Sequence, residues 1–388
     1  MKRRDFLAAG GVAVASAATG ASALAQFTGS QPFSQPTTIA VNVPLTGDLI
    51  LQGQQIVDGA NAAVDEANRF AGPIGHYFAI RTFDDQGALA VSMENVQFAA
   101  DDPTIVATVG NLTGSDTYAT MPTYSNAQMP VIVPAATTDE VTAQGYRNVW
   151  RLPTKDSTEG RLFARYLAGG KRPALPIAVS QDGDYGFDVA QGFVNQAKLE
   201  KLNAEAYLFP YRNPDYATAA KTILSKKPDY IYLCGTTQDM GPLVAALRVG
   251  GFNGAFGASE GFFNDATIAT YADALGKVMI STSLPPVELA PSVFQLLQDF
   301  RSRYRVTALS IFGYAATQLA IDVVKRYGVT SRGAFLSAMQ TGGSYNTLIG
   351  SFTFTPTGDP VDPNLYFYTI VDKQFKFQKA AHPNGFIL

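Results

Sequence analysis

Val131-Ile132-Val133-Pro134-Ala135-Ala136-Thr137-Thr138-Asp139-Glu140 is the stretch around which the rest of the chain is organised. Three β-branched residues predict a short buried strand. Pro134 ends it, and two alanines leave backbone with almost no side chain. Thr137-x-x-Glu140 matches the S/T-x-x-E capping box, so a helix is expected to start there. The product is a strand end facing a helix N-terminus, with N–H groups and a hydroxyl turned into one crevice. Such a place suits a carboxylate or another small anion. An ordinary β–α connection has the same look, so the neighbouring segments decide.

The chain opens with Met1-Lys2-Arg3-Arg4-Asp5-Phe6-Leu7, an apolar small-residue run from Ala8 to Ala23, and Ala23-Leu24-Ala25. A basic start, a short apolar stretch and an A-x-A site predict an export signal over residues 1–25, cleaved after Ala25, and a mature protein in the periplasm. Arg3-Arg4-x-Phe6-Leu7 resembles the twin-arginine signal, with a Sec signal that happens to carry two arginines as the alternative. Residues 26–37 are polar and proline-bearing and read as a disordered leader. Cys234, the only cysteine, lies far from the cleavage site, so it offers no lipid anchor there and no internal disulfide. It ends Tyr230-Ile231-Tyr232-Leu233-Cys234, which reads as a buried strand with an inert thiol. No later stretch is long and apolar enough to span a bilayer.

With 388 residues and 46% hydrophobic composition the chain has material for two cores. Its net charge of −3 becomes about −5 once the signal is removed. An acidic, evenly mixed surface gives no footprint for nucleic acid. No G-x-G-x-x-G follows the first strand and no phosphate loop is present. His76, His382 and Cys234 are too far apart for a zinc site of ordinary spacing, so no cofactor is expected. Asp182-Gly183-Asp184 hints at calcium, but Gly186 stands where an oxygen ligand belongs and Phe193 where a closing glutamate would be.

In order, the first part predicts strand 39–43, the loop Pro44-Leu45-Thr46-Gly47, helix 54–70, strand 78–83, helix 89–100, strand 105–109, a helix from about Asp116, and then the opening strand. Such alternation means a parallel sheet covered on both faces. After Trp150-Arg151-Leu152-Pro153 the rhythm restarts: helix 158–167, strand 177–180, helix 187–202, strand 204–209, helix 216–225, strand 230–234, helix 240–249, and strands 255–257 and 277–280. Beyond Pro285-Pro286 come helical patterns over 293–304, 312–327 and 333–339 with no strand between them, so they are assigned to the first sheet. Leu348–Phe354 reads as a third crossing and Leu365–Phe377 as a closing hairpin. The expected fold is α/β, with two doubly wound parallel-sheet lobes joined by three hinge crossings. Lobe 1 takes residues 38–153 and 285–350, and lobe 2 takes 154–284 and 351–388. A ligand belongs in the cleft, at the carboxyl ends of the strands.

Seven motifs in order carry a family resemblance. They are Pro44-Leu45-Thr46-Gly47, Phe83-Asp84-Asp85, Gly110-Asn111-Leu112-Thr113-Gly114-Ser115, Pro134-Ala135-Ala136-Thr137, Asp184-Tyr185-Gly186, Gly257-Ala258-Ser259-Glu260-Gly261 and Gly350-Ser351-Phe352. Over essentially the whole mature chain the sequence resembles the periplasmic leucine/isoleucine/valine-binding proteins of ABC importers, which have the type I periplasmic binding fold. The resemblance implies a clamp that delivers a small amino acid or related carboxylate to a permease and ATPase complex, with no covalent step and therefore no enzyme. It implies that Thr113, Gly114, Ser115, Ala135, Ala136 and Thr137 hold the ligand carboxylate. Glu260 would take the ammonium, Tyr185 would close from the second lobe, and Asp156 would stand beside the first crossing. The chain departs from relatives at Gly114, often serine, at Leu51-Gln52, where an aromatic is expected, and at Thr236, a tyrosine in some. Gln52 and Thr236 would shape the side-chain pocket, which leaves aromatic acids, amides or urea as alternative ligands.

Two rival classes remain. A receptor subunit that signals through a partner would use the same clamp. Gly257-x-Ser259-x-Gly261 also satisfies the serine-hydrolase elbow, with His382 downstream. That elbow needs an immediate helix, which Gly261-Phe262-Phe263-Asn264-Asp265 delays, and His382 reads as part of a loose tail.

Overall fold

Strand β1, Thr37–Val43, is buried on both faces from Ile39 onward. Ile39, Val41 and Val43 enter one core and Ala40 the opposite one, as the two-residue period of a strand requires. The computed structural model in which this is seen describes residues 36–387 except 72–76, 171, 183–184, 211–213, 287–297, 305, 330 and 383–384. The export signal, nearly all of the leader, His76, Gly183-Asp184 and residues 293–297 of the helix expected over 293–304 therefore lie outside the described residues.

The first sheet adds β2 (Phe78–Asp84), β3 (Ile105–Gly110), β4 (Val131–Val133) and β5 (Val149–Arg151), in the order β2-β1-β3-β4-β5. Every pairing is parallel. Helices Ile50–Arg69 and Ala308–Tyr327 supply residues to the core on one face, and Leu89–Asp101 and Gly114–Asn126 to the core on the other. The C-terminal helices Ala308–Tyr327 and Arg332–Gln340 thus pack in the core of the first sheet. They reach it because Gly59 and Gly313 let two helix backbones touch. A Cβ on Gly59 would stand 2.0 Å from the Ser310 carbonyl, and one on Gly313 would stand 2.5 Å from that of Ile56.

The second sheet runs β7-β6-β8-β9-β10 and then β13-β14-β15 beyond β10. Strands β6 (Pro176–Gln181), β7 (Glu205–Phe209), β8 (Tyr230–Leu233), β9 (Ala255–Ala258) and β10 (Val278–Thr282) are parallel. Strands β13 (Leu365–Val371), β14 (Gln374–His382) and β15 (Gly385–Ile387) extend it antiparallel, beginning with the expected hairpin. Helices Asp156–Gly169 and Phe187–Leu199 join the core on one face, Tyr216–Ser225 and Thr237–Val249 that on the other. Another pair of glycines recurs here: a Cβ on Gly160 would sit 1.9 Å from the Val189 carbonyl, and one on Gly192 would sit 2.3 Å from that of Ser157.

The chain is thus two doubly wound lobes, and it passes between them at 152–155, between β10 and helix Ala308–Tyr327, and between residues 353 and 364. Four expectations need correction. Leu348–Phe354 is not a crossing: Tyr345–Thr347 (β11) and Gly350–Phe352 (β12) pair as a hairpin, because Gly350 adopts a positive φ of 120° at the turn. Val149–Arg151 is a sheet strand in its own right; three residues flanked by loop were too short to show a period. His382 ends β14, with Nε2 3.3 Å from Asp362 Oδ1, and is not in a loose tail. The helix expected to start at Thr137 is only the single turn Glu140–Ala143, and the capping box is absent.

Candidate functional site

In each lobe the strand order reverses once, between β1 and β3 and again between β6 and β8. Loops leaving the carboxyl ends at those points diverge and open a crevice. In the first lobe the crevice is framed by 44–47, 111–115 and, one strand on, 134–138. In the second it is framed by 185–186, 234–236 and 259–261. All the expected ligand residues but Gln52 and Asp156 lie on these loops.

Asp84, at the end of β2, fixes the first of them. Its Oδ1 accepts the N–H of Leu45 at 2.7 Å and of Thr46 at 3.2 Å, and Oδ2 accepts the Thr46 hydroxyl at 2.7 Å. Thr113 caps helix Gly114–Asn126, its Oγ1 accepting the Asp116 N–H at 3.2 Å and donating to Asp116 Oδ2 at 2.7 Å. That hydroxyl is committed to the helix, and Ser115 Oγ stands 3.2 Å from it on the exposed side. The N–H groups of Gly114 and Ser115 are first-turn donors with no partner inside the helix. A Cβ on Gly114 would come within 2.5 Å of Thr138 Cγ2, so glycine lets the two donor loops touch.

The second donor loop is shaped by Arg151, which has no exposed surface. Its Nη1 donates to the carbonyls of Thr137 at 2.8 Å and Thr138 at 2.6 Å. Nη2 donates to Thr142 Oγ1 at 2.6 Å and Asp359 Oδ1 at 2.8 Å, and Nε to the same carboxylate oxygen at 3.0 Å. All five N–H groups are satisfied. The Thr137 carbonyl also accepts the Asp156 N–H at 3.0 Å. Holding these carbonyls keeps 137–138 extended, which is why no helix starts there. The Thr138 hydroxyl turns to the Glu140 carboxylate. An anion is therefore offered the N-terminus of helix Gly114–Asn126 and the backbone of Ala135, Ala136 and Thr137, not a helix dipole at Glu140.

On the other wall Glu260 is half-buried in a 3-10 turn, Glu260–Phe262. Its Oε1 accepts the Thr282 hydroxyl at 2.8 Å and the Ser283 N–H at 3.3 Å, and Oε2 accepts the Ser283 hydroxyl at 3.0 Å. Burial raises its pKa against the pull of those donors. Tyr185 lies over the same turn. Its hydroxyl accepts the Gly261 N–H at 3.1 Å and reaches Ser259 Oγ at 3.3 Å. Burial holds that phenol well above its ordinary pKa, so it acts as a neutral group. Thr236 caps helix Thr237–Val249 as Thr113 caps its counterpart, with Oγ1 2.6 Å from Asp239 Oδ2. Gln52 is half-buried on the first turn of Ile50–Arg69, outside the hydrogen-bonded set.

Glu159 was not singled out from the sequence and is the most informative addition. It is 1% exposed, and its Oε1 accepts the Glu260 N–H at 2.8 Å and the Ser281 hydroxyl at 2.6 Å. Burial, then the charge of Glu260, push it well above the ordinary glutamate range. Asp156, one turn earlier, is 2% exposed with Oδ1 unpartnered, and burial lifts its pKa to about 8 against Thr137 and Arg151. The i, i+3 spacing Asp156-x-x-Glu159 and the hydroxyl run Ser281-Thr282-Ser283 were the available signals.

Ser259 is fully buried, its Oγ accepting the Gly235 N–H at 3.0 Å, while His382 is held at Asp362 on β14. That arrangement gives Ser259 no imidazole partner among the described residues. Buried Cys234 has a thiol pKa pushed well up by burial. A cavity of about 280 Å³ lies on the crossings, lined by Thr154, Ser283, Phe352, Asn364 and Tyr366 among others.

Residues 36–375 match the model of a family described as "Periplasmic binding protein". The Leu/Ile/Val-binding protein homolog 1 of Brucella abortus is 25% identical over 351 residues, covering 88% of this chain and 91% of that protein. A leucine-binding protein of Thermotoga maritima superposes with a TM-score of 0.80 at 20% identity, over 90% of this chain and 99% of that one. A solute-binding protein of an ABC transporter from Rhodopseudomonas palustris, in complex with 3,4-dihydroxybenzoic acid, superposes with a TM-score of 0.76 at 17% identity, over 89% and 97%.

Proposed function

Because the chain belongs to the periplasmic binding protein family, we propose that it is the exported substrate-binding component of an ABC importer. It closes on a small amino acid or related carboxylate and presents it to a permease and ATPase complex. With the third crossing moved to residues 353–364, the lobes are residues 38–153 with 285–352 and 154–284 with 364–388. The export signal ends at Ala25. The clamp does no covalent chemistry.

The observation that carries this reading is Glu260. Three donors from Thr282 and Ser283 orient its carboxylate beside the loops of the second lobe. The loops of the first lobe offer mostly N–H groups: Gly114, Ser115, Ala136 and Thr137. A zwitterion satisfies both walls, its carboxylate on the donors and its ammonium on the acid. Ligand binding then favours the closed form by as much as it prefers that form.

A second reading, an aromatic acid, rests on the fold shared with the dihydroxybenzoate-bound neighbour. Calorimetry across L-amino acids, benzoates, amides and urea separates the two. Glu260→Ala is expected to weaken α-amino acids by about 2–5 kcal/mol, the cost of leaving a desolvated charge unpaired, and to change binding of amides and benzoates far less. Equal losses for charged and uncharged ligands would mean that Glu260 reads no cation.

A further inference from the structure

Asp156, Glu159 and Glu260 form one group. Glu159 and Asp156 are successive-turn neighbours on helix Asp156–Gly169, and Glu159 accepts the backbone N–H of Glu260. Asp156 is buried with an oxygen that has no hydrogen-bond partner. Among the described residues no cation pairs with any of the three carboxylates, although the charge of Arg151 draws the pKa of Asp156 down from a distance. Tyr185, Tyr232 and Cys234 face Glu159 and are held neutral by burial, while Asp188 and Asp139 add negative charge near Asp156. Arg151 spends every N–H elsewhere. Lys155 Nζ stands at 3.6 Å from Asp139 and 3.7 Å from Asp359. A desolvated carboxylate without a counter-charge costs several kcal/mol, so such a cluster keeps protons until a cation arrives.

We infer that Glu159 is a proton-bearing positioning residue for Glu260, and that a ligand ammonium settling on Glu260 displaces a proton from the Asp156–Glu159–Glu260 group. This rests on the amino-acid reading above. The exchange balances as a carboxylic acid and an ammonium giving a carboxylate–ammonium pair and one proton handed to the buffer. A ligand with no cation, such as benzoate or an amide, releases none. The sign of proton exchange therefore reports the ligand's charge class.

The test has two arms. In the first, L-leucine, or whichever L-amino acid binds in the screen, is titrated calorimetrically in buffers of differing ionisation enthalpy at several pH values. The expected result is release of about one proton below neutrality, with the association constant rising nearly tenfold per pH unit. Glu159→Gln keeps an oxygen to accept from Glu260 N–H and Ser281, and the protons released per ligand bound fall in this variant. Proton-neutral, pH-independent binding by the wild type, or unchanged release in Glu159→Gln, overturns the inference.

The second arm needs no ligand. An acid whose folded pKa is raised stabilises the fold fully below its unfolded pKa and loses that contribution as pH rises to the folded value. Melting temperature should thus fall with pH less steeply in Glu159→Gln than in the wild type. A purely structural role would shift it equally at every pH, and that result refutes a proton on Glu159. If no amino acid binds at all, the functional reading falls with the ligand half of the inference, while this arm still decides whether Glu159 holds a proton.

Discussion

Replacing Arg151 with methionine should cost the protein several degrees of thermal stability. The guanidinium is wholly buried and makes five hydrogen bonds, two of them to Asp359, whose side chain is 16% exposed. Methionine fills most of the volume but removes five donors: Asp359 keeps only the Thr142 hydroxyl and Lys155, and the carbonyls of Thr137 and Thr138 keep only the N–H groups of Asp156 and Val141. Breaking a buried pair from one side costs about 3–5 kcal/mol. A folded unit of roughly 350 residues melts with an entropy near 0.7 kcal/mol/K, so the expected loss is about 4–7 °C. Differential scanning calorimetry reads it directly. Adding Asp359→Leu should return the part due to the stranded carboxylate and leave the part due to the two carbonyls. A change under about 1 °C in Arg151→Met would refute the reasoning, because the five bonds would then hold nothing together.

Three further outcomes follow from packing and burial. Gly160→Ala puts a Cβ 1.9 Å from the Val189 carbonyl and should destabilise by about 1–3 kcal/mol despite the better helix propensity. Gly333→Ala, on an exposed helical site with open space around it, should instead gain about 0.4–1 kcal/mol, both measured by urea unfolding. Asp156, with a folded pKa of about 8 against 3.8, binds a proton in the folded state that the unfolded chain has lost. Its contribution therefore declines as pH rises through that window. Asp156→Asn should flatten the decline of melting temperature between pH 5 and 8, and an unchanged slope would place the titration elsewhere.

Much of this architecture was legible in the sequence because long elements repeat their pattern. Helix Tyr216–Ser225 falls on its expected bounds, and strands such as Pro176–Gln181 run one residue beyond the expected bounds at each end. Short elements failed for physical reasons. A three-residue strand like Val149–Arg151 shows no period, and the extended look of Leu348–Phe354 fits a hairpin as well as a crossing. The capping box at Thr137 was outweighed by Arg151, a tertiary partner that no local pattern announces. At the candidate site Glu260 and Tyr185 were legible through their motif. Glu159 was not, because its importance comes from reaching 101 residues along the chain to the Glu260 backbone.

The three crossings meet at Thr154. Its N–H donates to Ser283 Oγ at 2.9 Å, its hydroxyl reaches the Asn364 carbonyl at 3.1 Å, and Ser283 Oγ lies 3.0 Å from Glu260. Upstream of Asn364, Gly358 and Asp359 are clasped to β5 by the backbone and side chain of Arg151. The third strap is thus stapled at one end, and its bending is confined to the few residues after Pro360. A single serine oxygen is at once an axle pin and a brace for the acid, so any tug on that acid is felt at the pivot.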